Sequence, residues 1–178
     1  MKLPKIFVTV GSTNFKFDSL FTSLDRALIK NKNNYSIEAQ VGRSDYKWIY
    51  KRVKIYDYID PGDMISQIKS ADKIISHAGP ISIYQIAKYA KNIPLIVPRL
   101  AKFKEHVDNH QLYFTKFLRE VLPIGLQKYF VLDENIQEQV KDFLQEKPRK
   151  NNLREFLFKA PGQKNLVRNL EIFINGKR

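Results

Sequence analysis

The residues best suited to chemistry in this 178-residue chain gather in two clusters. In the first, I-I-S-H-A-G-P-I-S supplies His77, Gly79 and Ser82. In the second, P-R-L-A-K-F-K-E-H-V-D-N-H-Q supplies Arg99, Glu105, His106, Asp108, Asn109, His110 and Gln111. All three histidines of the protein fall within them. Each cluster follows a short apolar run, Lys73–Ser76 and Pro94–Val97. In a parallel α/β sheet, ligands sit just past the carboxyl ends of the strands. A glycine turn leading into a helix offers free amides and the positive end of a helix dipole to an anion. The side chains of the second cluster suit hydroxyl groups. Together the two fit a ligand bearing phosphate and hydroxyls, such as a sugar nucleotide. Gly11-Ser12-Thr13, after a first apolar run, is a weaker signal of the same kind, with a plain structural turn as its equal.

Each cluster has a blander reading as well. His77 reads alternatively as a satisfied structural histidine, and Glu105–Gln111 as a solvated helix start capped by Asp108. Glu105, Asn109 and His110 raise the question of a metal. His106 and His110 stand four apart, but the sequence shows no third ligand and no H-E-x-x-H, so no metal is expected. There is no P-loop, no G-x-G-x-x-G and no G-x-S-x-G, and the absence of cysteine removes thiolate chemistry and disulfides.

The elements that must position these residues follow from periodicity. Lys5–Val10 reads as a buried first strand. A helix follows, capped by Asp18 or Ser19, with Leu20, Leu24, Ala27 and Leu28 at helical spacing, and 31–34 breaks it. Tyr35–Val41 and Val53–Ile59 read as strands. Pro61 starts a helix that turns Met64, Ile65 and Ile68 inward. Lys73–Ser76 is a strand, Ser82–Tyr89 a helix with Ile83, Ile86 and Ala87 inward, and Pro94–Val97 a strand. A helix over Asp108–Arg119, a short strand at Tyr129–Leu132 and a helix over 135–145 complete the alternation. The fold class is therefore α/β, a Rossmann-like parallel sheet flanked by helices, in one domain covering 1–178. A C-terminal helical extension spans about 151–178. Within it, Leu166, Leu170, Phe173 and Ile174 share a stripe. That stripe packs back on the sheet or docks another protein.

The length suffices for one sizeable core. No apolar stretch reaches the roughly 20 residues of a membrane span, and the first residues enter a strand without a signal peptide. A cytoplasmic location is the expectation. The net charge is +13. Arg43–Lys54 carries five basic residues against Asp45, and Lys141–Arg178 ten against four acidic ones. A solvated basic surface, attraction to an anionic membrane face or membrane-bound partner, and nucleic-acid binding compete as explanations. No nucleic-acid motif is present, so nucleic acid is not expected.

V-T-V-G-S (Val8–Ser12), Y-I-D-P-G-D-M (Tyr58–Met64), A-D-K-I-I-S-H-A-G (Ala71–Gly79) and I-V-P-R followed by E-H-V-D-N-H-Q (Ile96–Gln111) together resemble the glycosyltransferase family 28 C-terminal domain. The resemblance covers roughly Ile6 to Phe117, and its most specific part is the E-H-V-D-N-H-Q block. It extends to the small donor-binding subunits of two-component transferases, which make capsular or exopolysaccharide repeat units or build dolichol-linked sugars. It implies a single GT-B-type C-terminal half that binds a UDP-sugar, uses no cofactor and no metal, and transfers with inversion. It also implies a membrane-anchored acceptor-binding subunit as partner. The acceptor would be a polyprenyl-diphosphate-linked sugar, and the protein would sit peripherally at the inner membrane face, an anionic surface.

Position by position, the resemblance puts Gly11, Ser12 and Thr13 in the loop facing the donor phosphates. It puts Tyr58 and Ile59 at the uracil edge, and His77, Gly79 and Ser82 in the diphosphate turn. Gln85 stands where relatives often carry a ribose-binding glutamate, and Ile81 where they often carry a second glycine. Glu105, Asn109, His110 and Gln111 fall in the sugar-facing segment. His77 and Glu105 are the catalytic candidates. The departures at Ile81 and Gln85 motivate the rival of a non-catalytic partner subunit that retains the fold.

Overall fold

The computed structural model describes residues 3–31, 34–132 and 135–159. Five strands, β1 (Lys5–Thr9), β2 (Ser36–Gln40), β3 (Val53–Tyr56), β4 (Lys73–His77) and β5 (Leu95–Val97), form one sheet in the order β3-β2-β1-β4-β5. Every pairing is parallel. The expected Rossmann-like α/β class is what the chain adopts. Seven α-helices and a short 3-10 turn at Ala101–Phe103 accompany the strands among the described residues: α1 (Asp18–Lys30), α2 (Pro61–Ser70), α3 (Pro80–Tyr89), α4 (His110–Val121), α5 (Ile124–Gln127), α6 (Ile136–Gln145) and α7 (Leu153–Lys159).

A parallel sheet covered on both faces needs apolar side chains on both, and β1 and β4 supply them by alternation. Ile6, Val8 and Ile75 join a core with Leu20, Leu24 and Leu28 of α1 and Val140, Phe143 and Leu144 of α6. Phe7 and Ile74 point the other way, to Ile68 of α2 and Ile86 of α3. β2 and β3 are joined without a helix. Along residues 41–52 the half-buried Tyr46, Trp48 and Tyr50 alternate with exposed Arg43, Lys47, Lys51 and Arg52. Trp48 rests 5.5 Å from Phe21, ring centre to ring centre, and Asp25 of α1 accepts the Ile49 and Tyr50 amides at 2.9 and 2.8 Å.

The boundaries depart from the periodicity in instructive places. Tyr129–Leu132 forms no strand: only Phe130 bridges Ile96, held by Ile96 N to Tyr129 O and Val131 N to Ile96 O. β3 stops at Tyr56, leaving Tyr58 and Ile59 in a loop. α1 is capped by neither Asp18 nor Ser19; its N-cap is Phe17, which lends no side chain. α3 begins at Pro80 with Gly79 as N-cap, so Ser82 lies inside its first turn. α4 starts at His110, because the Asp108 carboxylate accepts the His110 amide at 3.0 Å and holds a turn ahead of it. The Leu166, Leu170, Phe173 and Ile174 stripe lies outside the described residues, as does the extension beyond α7.

Candidate functional site

The strand order places the topological switch point between β1 and β4, the position at which a crevice opens in doubly wound sheets. A crevice of about 320 Å³ lies there. It is lined by Gly11, Ser12 and Thr13 after β1, Tyr58 and Ile59 after β3, and His77, Gly79, Ser82 and Gln85 at the end of β4 and start of α3. Nine of the residues chosen from sequence thus meet in one hollow. A larger hollow of about 910 Å³ opens where the strands begin, beside Lys5 and Lys73. The Lys73 amine there is already engaged by the Phe143 and Glu146 carbonyls at 2.7 and 2.6 Å.

Gly11, His77 and Gly79 form the floor as a unit. Gly11 has φ +73°, a left-handed conformation that favours glycine. A Cβ on it would lie 2.7 Å from His77 Nε2, and one on Gly79 only 2.2 Å away. Both glycines therefore make room for the imidazole. A valine at Gly79 would strike His77 before any ligand, so that change cannot test phosphate binding. His77 is buried, with Nδ1 lacking a hydrogen-bond partner of good geometry. Burial, and next the Arg99 guanidinium, lower its pKa to about 3, with the Thr9 backbone acting weakly in the opposite direction. At neutral pH it is an uncharged imidazole.

Gln40, at the end of β2, is the residue that sequence reading missed. Its Oε1 accepts from Thr9 Oγ1, Val10 N and Gly11 N at 3.0, 3.1 and 3.0 Å. Its Nε2 donates to Gly11 O at 2.8 Å and Asp57 O at 3.2 Å. One buried amide thus fastens the loop after β1 to the loop after β3. It also occupies the Gly11 amide. At the start of α3 the amides of Ile81 and Ser82, which precede the first intrahelical bond, Ile83 N to Gly79 O, are open to an anion. Among the described residues, no Lys or Arg lines the crevice. Negative charge there would rest on the α3 dipole and on the Ser12, Thr13 and Ser82 hydroxyls.

The second cluster splits. Arg99 is fully buried over the Phe17 ring at 4.6 Å. It donates to the carbonyls of Phe15, Lys16 and Val10 at 3.1, 2.6 and 2.8 Å, fixing the loop that leads into α1. Burial lowers its pKa to about 10. Glu105, buried beside it, accepts the Ser19 amide at 3.2 Å and the Leu100 amide at 3.3 Å. It caps α1 from a distant segment. Burial raises its pKa, opposed by these hydrogen bonds and by Arg99. Gln111 is buried with Oε1 on the Arg99 amide at 3.1 Å, and Asn109 Oδ1 accepts the Ala101 amide at 3.0 Å. None of Glu105, Asn109, His110 or Gln111 lines the crevice. Of the two catalytic candidates, His77 lines it and Glu105 is committed to backbone amides.

The family model for the glycosyltransferase family 28 C-terminal domain matches residues 5–166. This chain belongs to that family. A search of curated protein sequences finds no significant match. Among solved structures it is similar to Acinetobacter baumannii MurG (TM-score 0.48, 20% identity, 96% of this chain and 52% of that one). It is also similar to the glycotransferase of kitacinnamycin (TM-score 0.46, 13% identity, 94% and 43%) and to the glycosyltransferase SnogD from Streptomyces nogalater (TM-score 0.37, 15% identity, 95% and 42%). The chain spans about half the length of the structures it matches. Ile81, which also lines the crevice, is 41% exposed.

Proposed function

We propose that this domain binds a UDP-sugar in the crevice between β1 and β4 and forms the donor side of an inverting glycosyltransferase. The observation that carries this reading is the meeting of Gly11–Thr13, Tyr58–Ile59 and His77–Gln85 at the switch point. The uracil edge would lie along Tyr58 and Ile59, the ribose near Gln85, and the diphosphate over the start of α3. As the acceptor hydroxyl attacks the anomeric carbon, the glycosidic bond to UDP breaks and charge grows on the departing diphosphate. Preorganised amides and hydroxyls at a helix start stabilise such charge. Neutral His77 would support the site by shape and hydrogen bonding. No general base is assigned to this chain.

The acceptor in this reading is a polyprenyl-diphosphate-linked sugar in polysaccharide synthesis, presented by a membrane-anchored acceptor-binding subunit. No helix among the described residues is long and apolar enough to cross a membrane. The exposed basic row Arg43, Lys47, Lys51, Arg52 and Lys54 supports peripheral placement on an anionic surface. The test is calorimetric titration with UDP, ADP and GDP, followed by transfer assays with the co-expressed partner and a panel of UDP-sugars. Saturable, UDP-selective binding is expected. Gln85→Ala should weaken it by about 0.5–1.5 kcal/mol, the worth of one neutral hydrogen bond. Absence of UDP binding with the partner present would favour the non-catalytic rival.

A further inference from the structure

His106, Asp108 and His110 do not line the crevice, and beyond the turn that Asp108 makes with the His110 amide the fold gives them no structural task. The sequence offered two histidines and no third ligand; folding brings the carboxylate between them. The Asp108 Oδ1 atom lies 2.5 Å from His110 Nδ1 and 3.5 Å from His106 Nδ1. One donor atom from each of the three residues falls within 4.8 Å of the others. The two imidazoles meet edge-on, their centres 4.3 Å apart. His106 is held in place by Phe15, ring centres 5.1 Å apart. Its Nδ1 is buried and makes no hydrogen bond of good geometry.

We propose that these three side chains form a binding site for a transition-metal dication of the zinc class. The donor set, two imidazoles and one carboxylate, is the kind that Zn²⁺, Co²⁺ and Ni²⁺ accept and that Mg²⁺ and Ca²⁺ disfavour. With metal–ligand bonds of about 2.0–2.2 Å in a tetrahedron, neighbouring ligand atoms stand about 3.3 Å apart. The His106–Asp108 separation already has this value within a few tenths of an ångström. The His110–Asp108 pair must open by slightly under ~1 Å, and both of those side chains are about half exposed. Each imidazole ligates through Nδ1 with its proton on Nε2, and the ion takes the place of the present contact between His110 Nδ1 and Asp108 Oδ1. A fourth position remains for water. The site would tie the loop before α4 to the first residue of that helix and so hold the segment that carries Asn109 and Gln111. It rests on side-chain geometry and not on the transferase reading.

The experiment uses the full, tag-free chain stripped with EDTA. It is titrated with Zn²⁺ by calorimetry and with Co²⁺ by visible absorption, alone and with excess Mg²⁺. Saturable uptake is expected, with the intense d–d bands of a low-coordinate cobalt site and no competition by Mg²⁺. Asp108→Ala and His110→Ala alter exposed side chains. Each should weaken uptake by more than the roughly 10–100-fold that losing an outer-shell partner costs. Circular dichroism establishes that both variants are folded. No saturable uptake, affinity in both variants equal to that of the unsubstituted chain, or displacement by Mg²⁺ would each overturn the site. UDP titration of the stripped protein, run alongside, reports on the transferase reading separately.

Discussion

His77 shows how a single side chain can be both the floor of a crevice and a liability. It is wedged between Gly11 and Gly79 and held neutral by burial. In the unfolded chain a histidine titrates near ~6.5; in the folded chain this one does so near about 3. Between those values the unfolded state binds the extra proton, so stability falls as pH drops below the unfolded value. From pH 7 to 5.5 the loss attributable to His77 is about 1 kcal/mol. Urea midpoints at the two pH values should show it, and His77→Gln should flatten the dependence. An unchanged slope in that variant would place the acid sensitivity elsewhere. Glu105 teaches a different lesson. Its E-H-V-D-N-H-Q setting singles it out for a role at the sugar, yet its carboxylate holds the Ser19 and Leu100 amides. Glu105→Ala should therefore cost about 1–3 kcal/mol of stability, since it leaves two buried donors unmade. Loss of transfer activity with an unchanged denaturation midpoint would return it to the chemistry.

At the scale of elements, the fold is held by side chains that close the ends of helices belonging to other segments. Lys73 opens β4 but turns its amine to the carboxyl end of α6, onto the Phe143 and Glu146 carbonyls. Asn151 closes α3 in the same way through the Ile86, Ala87 and Ala90 carbonyls. Lys73→Met would keep the apolar stem and leave the α6 carbonyls unanswered, at about 1–3 kcal/mol in urea denaturation. No change would show that water replaces the amine without loss. Burial lowers the Lys73 pKa to about 8, with Glu146 opposing. Periodicity could reveal β1, β4 and the inward stripes of α1 and α6, because apolar alternation and 3.6-residue spacing are local properties. It could not reveal Gln40, whose five hydrogen bonds reach two separate segments, Thr9–Gly11 and Asp57, nor that Glu105 would cap α1. Such groups look like ordinary polar residues until tertiary structure puts a bare amide beside them. The crevice was legible because strand-end loops and a Gly-Pro helix start are local too. The separation of Glu105 and Gln111 from it was not, since that depends on where α4 docks.

Across the whole molecule the charge is unevenly used. Along residues 41–52 the chain turns its aromatics onto α1 and leaves Arg43, Lys47, Lys51 and Arg52 in solvent, with Lys54 exposed on the edge strand β3. Arg43 also borders a cavity shared with Ser12, Thr13 and Tyr58, so this row begins beside the crevice at the switch point. Basic residues close to an anionic bilayer contribute about 1 kcal/mol each, and the attraction fades over a Debye length of about 10 Å near 0.1 M salt. On the proposed reading, five such residues would hold the domain to an anionic bilayer. The chain alone should therefore sediment with vesicles containing anionic lipid at low salt, and less so as salt rises. Lys47→Glu with Lys51→Glu should weaken this without altering UDP affinity, because neither residue lines the crevice. Equal binding to neutral vesicles, or none to anionic ones, would reduce the row to a solvated surface. Tighter, salt-sensitive retention by RNA than by vesicles would instead favour the nucleic-acid rival.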